Sequence, residues 1–385
     1  MTDLSRAASM VRDLVTCPSV TPVEGGALAM IEAWLKPYGF EVHRPVFSGS
    51  GSYEVENLYA RIGKGAPCLV FAGHTDVVPT GDEARWAHPP FSGAVIDGEI
   101  WGRGACDMKS GVGAAIGAVL DHLDAHGVPK NGAIAFLITG DEEADSINGT
   151  AKLLEWAKAR GERFDACILG EPTCPNVMGE MMKIGRRGSL SGDLVVEGVQ
   201  GHVAYPQLAR NPIDGLMRLM AALKLPLDEG NAHFLPSNLE FTSIDCANPA
   251  RNVIPNTVTA KFNIRFNDHW TSTTLEAELR RRLAGVNDAM PHQLICHPTN
   301  AEAFLTAPGA FVEMVSGAVE AETGRRPALS TTGGTSDARF IQAYCPVIEL
   351  GVVGKTMHQI DERTSVADID TLSAIYRRCI EAYFG

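Results

Sequence analysis

Short runs of consecutive apolar residues recur along the chain. The runs at 68–73, 133–139, 166–169 and 347–350 are four to seven residues long. Such runs are typical of strands that are covered on both faces. Helical segments lie between the first three runs, and this alternation predicts a mixed α/β sheet.

A different pattern occupies the middle of the chain. Along 190–196 and 258–266 apolar residues alternate with polar ones, as in antiparallel strands with one solvated face. Helical segments at 212–224 and 273–284 complete a strand–helix–strand–strand–helix–strand order, which is ferredoxin-like. The sequence therefore predicts an α+β domain inserted in the α/β domain.

Chain length supports this division. The 385 residues exceed the roughly 100–200 residues of a typical domain. We predict that residues 1–180 and 299–385 form the α/β domain and that residues 181–298 form the inserted domain.

Composition excludes several kinds of partner. A net charge of −13 argues against binding to nucleic acid, which needs a basic surface. No apolar run approaches the roughly 18 residues of a membrane span, and residues 1–15 lack the pattern of a signal peptide. The nine cysteines include no C-x-x-C pair, so we expect reduced thiols in the cytoplasm.

Every one of the four apolar runs is followed by side chains that can bind a metal: His74 with Asp76, the triplet Asp141 to Glu143, Glu171, and His358. Taken singly, these motifs have simpler explanations. His74 and Asp76 would suit a hydrogen-bonded turn, and the acidic triplet would suit the start of a helix, where the dipole favours carboxylates. Together they indicate one site, because ligands collect beyond the carboxyl ends of strands in α/β sheets.

The glycine-rich stretch Trp101–Gly111 supplies a further carboxylate, Asp107, between a predicted strand and a predicted helix. At the first run, strand periodicity places His74 and Asp76 on the same side of the chain. We expect the Asp76 carboxylate to accept a hydrogen bond from one ring nitrogen of His74, which would leave the other nitrogen to bind a metal.

Other motifs fail the test of their context. His122 and His126 are four residues apart on a predicted helix, but no Glu lies between them as in a zinc-protease motif, and we interpret them as surface histidines. Gly111, Gly113 and Gly117 follow Lys-Ser rather than a strand, so we predict close helix packing there and no nucleotide loop.

The motifs at 73–79, 102–109, 141–143 and 170–173 resemble, in order, the metal-site signatures of a known family. This family, the co-catalytic di-zinc amidohydrolases, includes acetylornithine deacetylase, aminoacylase and glutamate carboxypeptidases. The resemblance spans nearly the whole chain. It implies a catalytic domain of zinc-peptidase type and an inserted ferredoxin-like domain that serves as lid and dimerisation domain, so a homodimer is expected.

The resemblance also implies the metal ligands. One zinc ion would bind His74, Asp107 and Glu171, and a second would bind Asp107, Glu143 and His358, with Asp107 bridging the two. Nitrogen and carboxylate ligands suit zinc, although cobalt or manganese tolerates the same set.

The resemblance gives catalytic roles to Glu142 and His202, and Asp76 is a third catalytic candidate because of its expected hydrogen bond to His74. Glu142 would act as general base and then protonate the leaving amine. His202, reaching into the partner's active site of a dimer, would stabilise the oxyanion. Without the resemblance, His202 would be interpreted as a loop histidine held by Tyr205 and Pro206.

Longer motifs at 185–189, 198–206, 252–256 and 333–337 narrow the resemblance to members that act on small succinylated amino acids. One position departs from the pattern, because Gly354 stands where an Asn is expected. Hydrolysis of another N-acyl amino acid, such as acetylornithine, and a non-catalytic binding role remain alternatives. Candidate substrate contacts, with arginine forks suited to carboxylates, are Arg186, Arg187, Ser189, Asn252, Arg265 and Thr335.

Overall fold

The computed structural model describes residues 4–49 and 51–385. These residues form two compact units. The first extends to Ile184 and resumes over Thr306–Ser330 and Ser336–Gly385, and the second comprises Gly185–Leu305 with Thr331–Thr335.

The α-helices of the described chain begin and end as follows: α1 Arg6–Val15, α2 Ala27–Leu35, α3 Lys109–His126, α4 Thr150–Ala159, α5 Pro212–Leu223, α6 Ser272–Ala284, α7 Ala310–Thr323, α8 Ala338–Ile341 and α9 Val366–Phe384. Single 3-10 turns lie at Lys36–Tyr38, Glu83–Arg85 and Pro206–Leu208.

The strands of the first unit before the inserted unit are β1 Glu41–His43, β2 Val46–Gly49, β3 Ser52–Glu56, β4 Leu58–Lys64, β5 Cys68–His74, β6 Ala94–Ile96, β7 Glu99–Trp101, β8 Gly132–Thr139, β9 Ala166–Leu169 and β10 Met181–Lys183. The later strands are β11 Gly185–Arg186, β12 Gly188–Glu197, β13 Gly201–His202, β14 Asn238–Asp245, β15 Val253–Ile254, β16 Thr257–Phe266, β17 His292–Cys296, β18 Phe304–Leu305, β19 Ala328–Ser330, β20 Val347–Glu349 and β21 Arg363–Ser365.

The first unit is organised around an eight-stranded sheet of order β1-β4-β8-β5-β9-β20-β10-β19. Its central strands β8, β5, β9 and β20 run parallel, whereas β1, β4 and β10 introduce antiparallel pairs. Every residue of these four central strands is buried. The predicted mixed α/β sheet is confirmed, because strands covered on both faces read as continuous apolar runs.

The second unit contains an antiparallel sheet of order β14-β16-β12-β17 with helices α5 and α6. In β12 and β16 buried residues alternate with more exposed ones, as the sequence periodicity requires. Apolar side chains of both helices join those of the sheet in one core, as Leu219 and Leu279 do with Phe262. The strand order is that of a ferredoxin-like unit.

The second unit extends beyond its last long strand. The chain enters at β11 and leaves at β18, and these two strands pair with each other, Gly185 opposite Leu305. The segment Thr331–Thr335 also belongs to this unit.

Glycines in α3 allow close helix packing, as predicted. A Cβ on Gly113 would lie 2.6 Å from a methyl group of Val11, and one on Gly117 would lie 2.9 Å from Ala7. Both neighbours belong to α1, so the two helices approach closely where α3 carries glycine. Among the described residues, each helix is too short or too polar to cross a membrane.

Candidate metal centre

The metal-capable side chains converge at the carboxyl ends of the central strands. His74 is the last residue of β5, Glu171 follows β9, and Glu142 and Glu143 lie in the loop after β8. Asp107 lies between β7 and α3, and the peptide bond that follows it is cis. His358 comes from the loop between β20 and β21.

Asp107 faces a different histidine with each of its carboxylate oxygens. Its Oδ1 lies 3.3 Å from Nε2 of His74, and its Oδ2 lies 3.4 Å from Nε2 of His358. On the first side, Oε1 of Glu171 lies 3.8 Å from Nε2 of His74. On the second side, Oε1 of Glu143 lies 2.9 Å from Nε2 of His358. The two sets predicted from the resemblance are thus brought together, each with its ligand atoms within 4.8 Å of one another.

In the first ligand set, which consists of His74, Asp107 and Glu171, buried polar atoms lack a partner that a cation would provide. Nε2 of His74, Oδ1 of Asp107 and Oε1 of Glu171 are buried, and none has a hydrogen-bond partner among the described residues. Buried polar atoms are normally paired, since leaving one unpaired costs roughly 1–3 kcal/mol. Imidazole nitrogen and carboxylate oxygen are zinc-type donors. The residues present therefore fit a divalent transition-metal ion.

The charges of the cluster lead to the same inference. Burial raises the pKa of Glu171 and Glu142 well above the ordinary carboxyl value, and neighbouring carboxylates, Asp107 among them, raise it further. Burial lowers the pKa of His74, but Asp107 and the other carboxylates outweigh burial and raise it overall. Hydrogen bonds to Asp107 and Glu143 raise the pKa of His358 to about 10. These shifts arise because the clustered carboxylates repel one another and attract protons, and bound cations would relieve that repulsion.

The three acids of the triplet have different positions. The buried carboxylate of Asp141 accepts hydrogen bonds from the N–H groups of Ser146, Ile147 and Asn148, at 3.2, 2.9 and 2.9 Å. Glu142 directs Oε2 towards His74, 3.9 Å from Nε2, and it also belongs to a ligand-competent group with His74 and Glu143. The next helix, α4, begins only at Thr150, so the helix-dipole explanation of the triplet is wrong.

Asp76 contacts His74 through its main chain and not, as expected, through its carboxylate. Nδ1 of His74 lies 2.9 Å from the main-chain carbonyl oxygen of Asp76 but 3.7 Å from its carboxylate. The carboxylate instead accepts the N–H groups of Glu142 and Glu143 at 3.1–3.2 Å. The Asp76 main chain therefore orients His74, and the Asp76 side chain holds the loop that carries both glutamates.

Sequence reasoning missed a buried ion pair that supports Asp107. Oε1 of Glu362 accepts the N–H groups of Gly104, Cys106 and Asp107 at 3.1, 2.9 and 3.1 Å. Its Oε2 accepts from Nη1 of Arg103 at 2.6 Å. Both side chains are at most 3% exposed. The only sequence signal was the position of Arg103 inside the quoted 102–109 motif, and nothing marked Glu362.

Arg103 also supports the loop of His358. Its guanidinium donates to the carbonyl oxygens of Gln359 and His358, at 3.1 and 3.5 Å. His358 has a φ of 61°, a left-handed conformation that costs a non-glycine residue roughly 1–3 kcal/mol. The Arg103–Glu362 pair thus joins the loop of Asp107 to the loop of His358.

In the second unit, His202 is exposed and lies on the ribbon of β13 and β15, opposite Val253. Its Nδ1 accepts the N–H of Ala204 at 3.0 Å, and its ring contacts Tyr205 with the centroids 5.8 Å apart. A neutral imidazole that accepts at Nδ1 carries its proton on Nε2. His202 therefore presents a donor, as an oxyanion contact requires. Asn252 adjoins it, because the Asn252 carbonyl accepts the N–H of Val203.

Three candidate substrate contacts gather on strands β12 and β16, or beside them. Ser189 and Arg265 are opposite each other in the ladder, and Arg265 is also opposite Asn238. Arg187 donates to Oδ1 of Asn238 at 3.1 Å, while its Nε is buried without a partner among the described residues. Burial lowers the pKa of Arg187, and the charge of Arg265 lowers it further. Two nearby guanidinium groups of this kind are suited to an anion.

The remaining candidates lie on the two segments by which the chain enters the second unit, Arg186 on β11 and Thr335 on the returning segment 331–335. The buried Arg186 donates to the carbonyl oxygens of Thr332 and Gly334 at 3.4 and 3.1 Å. Thr335 is half-buried at the end of the same segment. In this structure Arg186 holds the 331–335 segment.

The interpretation of His122 as a surface histidine is wrong. Only 6% of His122 is exposed, because helix α9 packs against α3, whereas the side chain of His126 is 57% exposed.

The fold and the site together define a class of protein: an α/β protein with two candidate metal-binding groups that share one carboxylate, and with an inserted ferredoxin-like unit. The chain belongs to peptidase family M20/M25/M40, whose family model matches residues 70–382. The family resemblance and the fold class predicted from the motifs are thereby confirmed.

The chain is similar over its full length to curated relatives. It is 61% identical, over 387 aligned residues and 100% of both chains, to a protein of Methylorubrum populi named succinyl-diaminopimelate desuccinylase. Solved structures share the fold at lower identity. An M20 metallo-carboxypeptidase of Sulfolobus solfataricus has a TM-score of 0.76 at 18% identity, covering 99% of this chain and 100% of that one. A Bacillus subtilis protein described as a dinuclear metal-binding M20 peptidase has a TM-score of 0.69 at 16% identity, covering 97% and 96%.

Proposed function

We propose that the protein hydrolyses N-succinyl-LL-2,6-diaminopimelate to succinate and LL-2,6-diaminopimelate, in bacterial lysine and diaminopimelate biosynthesis. The observation that carries the proposal is the full-length 61% identity to a protein named for this reaction. The convergence of His74, Glu171, Glu143 and His358 on the two oxygens of Asp107 supports it independently.

Two divalent ions, zinc first and cobalt second, would be held by the two ligand sets, with Asp107 common to both. When bound, such ions lower the pKa of water and polarise a carbonyl oxygen. The two ligand sets together contain three carboxylates and two histidines. The negative charges of the carboxylates would balance most of the positive charge of two divalent cations.

Glu142 is the general base of the proposed reaction. It accepts a proton from the attacking water, whose oxygen bonds to the amide carbon of the substrate. When the C–N bond breaks, Glu142 returns this proton to the leaving amine. Burial raises the pKa of its carboxyl, which favours its return to the protonated form from which it gives the proton to the leaving amine. Asp76 fixes its position through the N–H of Glu142.

The arginines of the second unit provide the recognition of substrate carboxylates. The substrate carries three free carboxylates, and Arg187 with Arg265 offers closely spaced guanidinium forks beside Ser189. Arg186, Asn252 and Thr335 are further contacts in the proposal. A charged donor to a carboxylate contributes roughly 1.5–3 kcal/mol, so these contacts would discriminate strongly against substrates with fewer carboxylates.

The inserted unit is proposed to form a homodimer in which His202 of one protomer stabilises the oxyanion in its partner. The donor at Nε2 supports this role. Mixing His202→Ala protein with Glu142→Ala protein tests the sharing, because only a mixed dimer would contain one complete site. Recovery of activity on mixing is expected, and absence of recovery in verified heterodimers would contradict it.

A comparison of two substrates tests the activity itself. We expect zinc-loaded protein to hydrolyse N-succinyl-LL-2,6-diaminopimelate with a higher kcat/KM than N-acetylornithine. A preference for the acetylated substrate would assign the protein to acetylornithine deacetylation instead. Absence of turnover with both substrates in metal-loaded protein would favour a non-catalytic binding role.

We place the reaction in the cytoplasm, where the nine free cysteines would stay reduced.

A further inference from the structure

We propose that His122, His126 and Glu381 form a binding site for a divalent transition-metal ion, separate from the centre at Asp107. The proposal does not depend on the enzymatic activity. Helix α3 begins two residues after Asp107, and His122 lies thirteen residues further along it, roughly 20 Å at 1.5 Å per residue.

The three side chains have the geometry of a chelating group. His122 and His126 are one turn apart on α3, with ring centroids separated by 5.0 Å. Glu381 approaches from α9, and its Oε1 lies 3.9 Å from Nε2 of His126. One ligand atom from each residue lies within 4.8 Å of the others. The three residues line a groove of about 590 Å³ together with Lys130 and Phe384, so an ion and its water ligands have room.

An unpaired nitrogen provides independent support. His122 is 6% exposed, and its Nδ1 is buried without a hydrogen-bond partner among the described residues. Burial lowers the pKa of His122, and His126 lowers it further against the opposing effect of Glu381. A neutral imidazole has the free lone pair that metal binding needs.

Helix ends strengthen the attraction for a cation. His122 and His126 lie in the last turns of α3, and Glu381 lies in the last turn of α9. The carboxyl end of a helix carries partial negative charge. Two basic groups are near: Lys130, which is exposed, lines the same groove, and Nε of Arg377 lies 3.8 Å from the same oxygen of Glu381. Arg377 is about half exposed and can turn into solvent when the ion binds.

Two imidazoles and one carboxylate form a zinc-type ligand set that leaves positions for water. The site would hold the carboxyl ends of α3 and α9 together. Nickel and copper should bind in the same place, with copper the tighter of the two.

Calorimetric titration of untagged protein with Zn²⁺ tests the proposal, after the centre at Asp107 has been filled. We expect the wild-type chain to bind one additional equivalent of Zn²⁺. Loss of an outer metal-site partner lowers metal affinity by about 10–100-fold. His126→Gln and Glu381→Gln each remove a direct ligand, so each should lower the affinity for this additional Zn²⁺ by more than that. Both residues are substantially exposed, so the variants should fold and keep the wild-type hydrolytic activity. Arg377→Ala should tighten binding, since it removes the competitor for Glu381.

The matched control is His297→Gln. His297 is half exposed, and its Nε2 lies 3.2 Å from Oδ2 of Asp193. Like His126, it is therefore a histidine beside a carboxylate. Unlike His126, it belongs to none of the metal-capable groups among the described residues. This variant should keep the additional equivalent unchanged. The proposal is overturned if the wild-type chain binds no additional Zn²⁺, if the equivalent persists at full affinity in His126→Gln and Glu381→Gln, or if His297→Gln loses it as well.

Discussion

Glu362→Gln should destabilise the protein and weaken its metal centre, although Glu362 is not a proposed ligand. One carboxylate oxygen of Glu362 accepts hydrogen bonds from three N–H groups around Asp107, and the other accepts one from Arg103. In glutamine one of these oxygens becomes an NH₂ donor. Either Arg103 or the three N–H groups must then lose their acceptor.

The size of the effect follows from burial. Glu362 is fully buried and the Arg103 side chain is 3% exposed, and breaking such a pair costs about 3–5 kcal/mol. Arg103 keeps its bond to the carbonyl of Gln359 at 3.1 Å, so the lower end, about 3 kcal/mol, is expected. Glu99→Gln is the matched control. Glu99 pairs with Arg363 at 3.0 Å, but both side chains are more than a third exposed, and a surface pair contributes about 0–1 kcal/mol.

Urea unfolding of the metal-free proteins measures the difference. Tryptophan fluorescence reports mainly on the first unit, which contains four of the five tryptophans. Zinc titration should show in addition an affinity loss of roughly 10–100-fold in Glu362→Gln and none in Glu99→Gln. If the two variants unfold within about 1 kcal/mol of each other, the support of Asp107 by Glu362 is refuted.

Three further predictions concern other parts of the molecule. Asp76→Asn should lower kcat by about 100-fold by misplacing Glu142 while the ion at His74 is retained, because the main-chain carbonyl of Asp76 orients His74; loss of both metals in metal analysis would contradict this. Arg187→Lys should raise KM for the succinylated substrate roughly tenfold with little change in kcat, since the fork is lost; steady-state kinetics with an unchanged KM would exclude the contact. Burial raises the pKa of Asp228, but hydrogen bonds from Ser237 and Trp270 outweigh it and lower the pKa to about 2. This stabilisation exists above about pH 4 and disappears as pH falls towards 2, so Asp228→Asn should cost roughly 1 kcal/mol at neutral pH, allowing for solvent screening, and almost nothing near pH 2. Equal costs at both pH values in thermal unfolding would contradict this.

The strands of the main sheet could be predicted from the sequence because both of their faces are covered. The apolar runs at 68–73, 133–139 and 166–169 correspond to β5, β8 and β9 within one or two residues. The side chains that follow these strands could be grouped as one site for the same reason, since parallel strands end at the same edge of a sheet.

The role of Asp76 could not be predicted by strand periodicity. Strand β5 ends at His74, so Asp76 lies beyond the geometry that places alternate side chains on one face. Its main-chain carbonyl, and not its carboxylate, therefore lies nearest to Nδ1 of His74.

Glu362 and His122 show a second limit of prediction from sequence, which is that contacts between distant segments leave no local pattern. Glu362 follows another acid, Asp361, whose carboxylate accepts the N–H of Ala87 in an exposed contact, and no local pattern distinguishes the two. Only the folded chain brings Glu362, rather than its neighbour, to the loop of Asp107. Likewise, His122 is buried by packing between α3 and α9, which are distant in sequence.

The sharing of Asp107 by two ions is the central claim, and metal counting tests it most directly. The measurement is zinc per chain after equilibrium dialysis, in the His126→Gln background so that the other proposed site does not contribute. We predict that Asp107→Ala loses both ions, whereas Glu171→Ala and Glu143→Ala each lose mainly one. An Asp107→Ala protein that still holds one ion at wild-type affinity would contradict the claim.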